Sequence, residues 1–244
     1  MMRQIYENYT PEDHKVWQLL FERQMQQLPA VAAPAYLEGI HTIGFKNDRI
    51  PNFDEVNKVL GKLTGWQIEV VEGLIPNQEF YGLLAKKRFP ASTWLRKMEE
   101  LDYLEEPDMF HDVFGHLPML TNAYFCDFLK GFSQIALRYL DNAWGVEMIA
   151  RLYWYTVEFG LIRNSKTQEI NIFGAGIMSS SGESVYCLGE KPQRVAYDPA
   201  QIIQTPYIID RFQDKYFVIE SYEQLYHSLS QIDELIEENS TVSV

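Results

Sequence analysis

Apolar residues recur at helical spacing through most of the chain. Thr10-Pro11-Glu12-Asp13 carries the marks of a helix start, with an N-cap hydroxyl, proline at the first helical position and acids in the first turn. Val16, Leu19, Leu20 and Arg23 follow on one face, and Leu28-Pro29 through Pro34 ends the element. Ala35–Ile40 predicts a short second helix. Ile50-Pro51-Asn52-Phe53-Asp54 introduces a third, Glu55–Leu63, which Thr64-Gly65 stops. Trp66–Val71 alternates loosely and is rich in β-branched residues, the pattern of a short strand.

The middle of the chain predicts four helices, Trp94–Glu100, Pro107–Phe114, Tyr124–Tyr139 and Val146–Ile162. The last is apolar nearly all round (Met148, Ile149, Leu152, Tyr153, Trp154, Val157, Phe159), which marks a helix buried inside the fold. From Ile170 the pattern breaks up. Gly174, Gly176 and Ser179-Ser180-Ser181-Gly182 mark loops, and Pro192–Pro206 reads as irregular. Tyr216–Glu220 predicts a strand and Tyr222–Leu229 a closing helix. Val218–Val244 holds six acidic residues and no Lys or Arg, so a solvated helix with a frayed, acidic end at 231–244 is expected. The fold class is therefore mainly α with short β elements (α+β). With neither repeat nor linker, residues 1–244 are expected to form one domain with its core at about 10–230.

Charge narrows the possible partners. Thirty-four acidic side chains face 21 basic ones, a formal net charge of -13. Nucleic acid and anionic membranes both need a basic face to displace counterions, so neither is expected as a partner. Only Cys126 and Cys187 are present, the N-terminus lacks an apolar export signal, and no run reaches membrane-span length. A reduced, cytoplasmic setting is the expectation.

Candidate chemistry centres on two of the five histidines. His111 and His116 lie five residues apart, about 140° apart on an ideal helix, so they do not share a face. Gly115 can end the helix in a left-handed conformation and Pro118 prevents its resumption, which would let the chain curl both imidazoles toward one point. Glu158 sits on the helix predicted to be buried, where an ionised carboxylate needs a compensating cation or metal. Arg151, two turns earlier on the same face, is one such partner and would fit a non-catalytic binding protein with merely packed histidines. The other reading makes Glu158 the third metal ligand. Two histidines and a carboxylate leave positions open and suit ferrous iron that activates dioxygen, though zinc accepts the same ligands. His111-Asp112 also spells the dyad of metal phosphohydrolases, for which His41 is the one upstream candidate.

Three separated blocks carry a resemblance. They are Arg96 through Tyr103, Glu106-Pro107-Asp108, His111, Gly115-His116 and Pro118; then Tyr153-Trp154-Tyr155-Thr156-Val157-Glu158-Phe159-Gly160; then Gly174-Ala175-Gly176 with Ser179-Ser180 and Glu183. From about Thr10 to about Tyr222 the chain resembles the pterin-dependent aromatic amino acid hydroxylases, above all their bacterial, phenylalanine-using members. The resemblance implies a helical catalytic basket in one catalytic domain, without the regulatory domain or tetramerisation helix of animal members.

It also implies Fe(II) held by His111, His116 and Glu158, a tetrahydrobiopterin-like cosubstrate and O2, with no protein nucleophile or acid–base dyad. Arg96 would clamp the substrate α-carboxylate and Asp108 would orient that guanidinium. Phe80 would stack on the pterin, with Ile75 and Asp112 beside it. Ser179 would line the substrate side and hydrogen-bond behind the metal, with Tyr153 and Glu183 as supports. Trp154 and Ile209 occupy positions tied to substrate choice, and an apolar Ile209 suits phenylalanine; tyrosine and tryptophan hydroxylation are the alternatives within the family. Leu104 departs from the Thr of animal members near the substrate carboxylate. The implied partners are an aromatic amino acid and a pterin, bound by a monomer or weak dimer.

Overall fold

The computed structural model describes residues 2–102, 104 and 106–241, and Tyr103 of the resemblance lies outside them. Helix α1 (Pro11–Met25) begins where its cap predicts. Thr10 Oγ1 accepts from the Asp13 N–H at 3.2 Å, and the Asp13 carboxylate accepts from the Thr10 N–H at 2.8 Å. This reciprocal box pairs donors that a first helical turn otherwise leaves open. Val16, Trp17, Leu20 and Phe21 form its buried stripe. Helices α2 (Leu28–Val31), α3 (Pro34–Ile43) and α4 (Phe53–Leu63) follow, the last capped by Asn52.

Strand β1 (Gln67–Val70) pairs in parallel with β2 (Arg88–Ala91), Gln67 opposite Arg88. Parallel neighbours need a crossover, and α5 (Asn77–Leu84) supplies it. Helices α6 (Ala123–Ala136) and α7 (Ala143–Tyr153) build the middle of the molecule. A second sheet has the order β4-β3-β6-β5, with β3 (Leu161–Arg163), β4 (Ile170–Ile172), β5 (Gln193–Ala196) and β6 (Lys215–Ile219). Strands β3 and β4 are antiparallel, and the other two pairings are parallel. Helices α8 (Ala175–Met178), α9 (Ser181–Tyr186), α10 (Pro199–Gln204), α11 (Tyr222–His227) and α12 (Leu229–Thr241) complete the order; α11 packs on β6 and α6, and α10 and α12 pack on α7. One apolar cluster runs from Val16 to Ile236 and joins both sheets to the helices.

Six expectations are corrected. Trp94–Glu100 forms no helix beyond the single turn Met98–Glu100, because Asp108 captures the Arg96 backbone and side chain and holds the segment as a strap. Pro107–Phe114 gives way to a π-helical turn, Phe110–His116. The helix over Val146–Ile162 ends at Tyr153, passes into a second π turn at Trp154–Glu158, and Leu161 already belongs to β3. The irregular Pro192–Pro206 contains β5 and α10, the latter started by Asp198 as cap and Pro199 at the first position, and the serine cluster starts α9, with Ser180 as its cap. The acidic end is not merely solvated: Ile232 and Ile236 of α12 are both 0% exposed.

That docking has a measurable consequence. Ile236→Ala empties a fully buried site, and urea unfolding is expected to register a loss of about 2–5 kcal/mol. A solvent-facing tail would register almost nothing.

Candidate metal centre and active site

The two histidines meet because the chain abandons the α-helix where they sit. Phe110–His116 winds as a π-helix. Its i→i+5 pairing widens the turn, so residues five apart come one above the other instead of splaying. Gly115 does not take the left-handed exit expected of it: the glycines with positive φ are Gly44 and Gly65. Its role is close approach, since a Cβ there would stand 2.9 Å from the Ala175 carbonyl oxygen and 3.2 Å from its Cβ. Only glycine lets α8 lie against this turn. Glu158 closes the second π turn, where the Phe159 N–H donates to Trp154 O at 2.7 Å, five residues back.

Nε2 of His111 lies 3.2 Å from Nε2 of His116 and 3.6 Å from Glu158 Oε2, while His116 Nε2 lies 3.2 Å from Glu158 Oε1. Ions bound by imidazole at about 2.1 Å have neighbouring ligand atoms about 3 Å apart. Separations of 3.2, 3.2 and 3.6 Å come close to that edge, so the three donors can share one face of a coordination polyhedron, and among the described residues no further His, Cys, Asp or Glu joins them.

Ser179 fixes the chemistry of His111. Its hydroxyl donates to Ala175 O at 2.9 Å and therefore accepts from His111 Nδ1–H, also at 2.9 Å. His111 thus turns a bare Nε2 lone pair toward His116 and the carboxylate, where it can serve as a ligand to a cation held between them. The imidazole does not supply that cation, because burial pushes its pKa down to about 4 despite the pull of Glu158. Burial pushes Glu158 up, yet His116, His111 and the Gly176 N–H more than offset this and hold it below the ordinary carboxylate range. The donor set fits a divalent metal.

Ser179→Ala leaves Nδ1–H without its acceptor and the ring free to turn. Iron affinity is expected to fall about 10–100-fold, read by competition with a chelator.

Arg151 takes no part in this centre. It donates to Glu147 Oε1 and to Ile203 O, each at 2.8 Å, and lies over the Trp144 ring. The Glu158–Arg151 pairing expected of a non-catalytic protein is therefore absent. His41 is exposed at the end of α3 and outside the cluster, so the phosphohydrolase dyad has no upstream ligand among the described residues.

Beside the metal donors, Arg96 grips Asp108 with two parallel bonds, Nε to Oδ2 at 2.9 Å and Nη2 to Oδ1 at 3.0 Å. Asp108 is 0% exposed and also accepts from the His111 N–H at 3.2 Å, which ties the guanidinium to the turn that carries both histidines. Among the described residues no acceptor takes Nη1 of Arg96.

This geometry can be set beside known proteins. Residues 3–243 match the family model of biopterin-dependent aromatic amino acid hydroxylases. This chain belongs to that family. It is 47% identical over 226 residues to a phenylalanine-4-hydroxylase of Ralstonia nicotianae, covering 92% of this chain and 71% of that protein. A phenylalanine-4-hydroxylase of Pseudomonas aeruginosa is 42% identical, with 93% and 84% covered. The crystal structure of Chromobacterium violaceum phenylalanine hydroxylase with bound iron(III) and 7,8-dihydrobiopterin superimposes with a TM-score of 0.92 at 42% identity, over 99% of this chain and 86% of that one.

Of the residues that the hydroxylase resemblance assigns to the pterin, Phe80 and Asp112 are linked to the histidine–carboxylate cluster through Tyr153. Phe80 in α5 contacts Tyr153 edge-on at 5.5 Å between ring centres, and Tyr153 in turn senses the charges of Glu158 and Asp112. Ile75 lies half-buried just before α5. Asp112 accepts from the Ser92 N–H at 2.8 Å, and burial raises its pKa to about 7. Sequence reasoning missed Phe89, whose ring lies 4.8 Å from that of His116; the parallel pairing of β2 puts it there.

Trp154 stacks on Phe159 at 4.6 Å and on Tyr207 at 4.8 Å. Glu183 is 5% exposed in α9, a buried support and not a solvated loop charge. The structure does not bring Ile209 in: it is 78% exposed. Tyr207, two residues earlier, takes the place against Trp154, because the segment turns outward between Ile208 and Gln213.

Proposed function

We propose that this chain converts L-phenylalanine to L-tyrosine, using O2, Fe(II) and a tetrahydropterin. The observation that carries the reading is the close triad of His111, His116 and Glu158, with Arg96 beside it held by Asp108 and its Nη1 unpaired among the described residues. When bound, iron and the reduced pterin supply the activation of dioxygen and the delivery of one oxygen atom to the ring.

The protein's own contribution is to bind, orient and exclude water. Nη1 of Arg96 takes the substrate carboxylate, a fork–carboxylate match that Asp108 keeps aimed from behind. Trp154 and Tyr207 wall the space for the aromatic ring. An apolar wall suits phenylalanine, since a ring without a hydroxyl leaves no polar group unpaired there. Phe80 offers the flat face for the pterin, and Asp112 holds a proton or a hydrogen bond at its edge. Ser179 keeps the metal-facing nitrogen of His111 unprotonated.

Residues 1–244 act as one catalytic unit in a reducing cytoplasm, a reading supported by two buried unpaired thiols. The net charge of -13 favours a monomer or weak dimer through self-repulsion.

The test loads the protein anaerobically with Fe(II), then adds air, a reduced pterin and phenylalanine, tyrosine or tryptophan in separate tubes. Mass analysis is expected to find tyrosine as the main product. Preferential hydroxylation of tryptophan, or no tyrosine, would overturn the assignment.

A further inference from the structure

Between α10 and β6, residues 205–214 form neither helix nor strand, yet Gln213 within them is only 2% exposed. A buried amide is costly unless its hydrogen bonds are made, so where they go is informative. Gln213 Oε1 accepts from Trp154 Nε1 at 3.1 Å and from the Ile208 N–H at 3.3 Å, and its Nε2 donates to Ile208 O at 2.6 Å. Its backbone N–H donates to Glu183 Oε1 at 3.3 Å, the same oxygen that accepts from the Tyr216 hydroxyl. One side chain thus clasps the indole of Trp154 and both backbone polar groups of Ile208, and a buried carboxylate anchors it from behind.

From these contacts we infer that Gln213 is a positioning residue for the aromatic substrate, acting through the indole of Trp154. The inference rests on the phenylalanine reading above for the identity of that substrate. Apolar packing alone would hold the segment without directing an amide at the indole nitrogen. The indole N–H is a single donor, and pairing it selects one orientation of a ring that stacking by Tyr207 and Phe159 leaves free to slide. The same clasp sets where Tyr207 stands, because Ile208 is its neighbour. Trp154 also opens the turn that ends in Glu158, so the wall and the metal donor share one element.

The experiment compares iron-loaded wild type with Gln213→Leu, which fills the space without hydrogen bonding, and Gln213→Glu, which keeps the acceptor. Ultraviolet resonance Raman reports hydrogen bonding at indole N–H, and the difference from Trp154→Phe isolates the Trp154 signal. In Gln213→Leu that signal is expected to move to the unbonded position and KM for phenylalanine to rise about tenfold, the scale of one lost buried hydrogen bond. KM for the pterin and iron content stay within twofold of wild type. Gln213→Glu keeps the acceptor for the indole and is expected to restore the indole signal, while loss of the donor to Ile208 O leaves KM between those of wild type and Gln213→Leu. If Gln213→Leu does not fold, Gln213→Asn, which withdraws the amide by one methylene, carries the same expectation. An unchanged indole signal, an unchanged KM, or a loss spread equally over iron, pterin and phenylalanine overturns the inference. The Raman signal is independent of turnover. A wild type that makes no tyrosine therefore counts against the phenylalanine reading, while a failed indole response counts against Gln213.

Discussion

Glu158→Gln is expected to release most of the iron and to lower tyrosine formation by more than about a hundredfold. Loss of a group behind a metal ligand already costs about 10–100-fold, and here a ligand itself is altered. The amide loses the negative charge that balances the metal. It also turns N–H groups toward His111 and His116, which lie within 3.6 Å of the carboxylate. Glutamine is close to glutamate in volume, so the element Trp154–Glu158 and the carbonyl packed on Gly174 remain as they are. Metal analysis after desalting, followed by product assay, checks both effects. Full iron with full activity would remove Glu158 from the ligand set.

The second large effect is expected at the Arg96–Asp108 pair. Arg96→Lys keeps a charge but not the fork, since one ammonium cannot hold both Asp108 oxygens and a substrate carboxylate in fixed geometry. KM for phenylalanine is expected to rise about a hundredfold, the lower part of the about 2–5 kcal/mol for truncating one partner of a buried charge pair. Iron content should not change, which separates this defect from that of Glu158→Gln. Asp108→Asn strands a guanidinium whose side chain is 10% exposed and weakens the acceptor of the His111 N–H. Denaturant unfolding is expected to show a loss of about 3–5 kcal/mol. An Arg96→Lys enzyme with an unaltered KM would place the carboxylate site elsewhere.

Elements with a strong local signal were legible in the chain. The α1 start rests on Thr10, Pro11 and Asp13, which satisfy one another over three residues. Helices α3, α4 and α6 and strands β1 and β6 carry their own periodicity, and they fall within a few residues of the predicted ranges. Short elements without periodicity, such as α8, α9, β3 and β4, were not legible. Strands β3 and β4 hold three residues each and exist because the sheet recruits them.

The candidate site divides along the same line. By itself the sequence determined the donor types, His111, His116 and Glu158, and the oddity of a carboxylate on an apolar element, since residue chemistry and burial tendency are properties of the chain. It could not determine how two histidines five apart converge. Only packing stabilises a π turn over an α-helix, and Gly115 against Ala175 is a contact between segments 60 residues apart in the chain. Nor could it locate the clasp of Gln213 on Trp154, the burial of Glu183, or the outward placement of Ile209. Those depend on which distant groups meet, and such meetings are decided when the hydrogen bonds of a buried side chain find their partners across the fold.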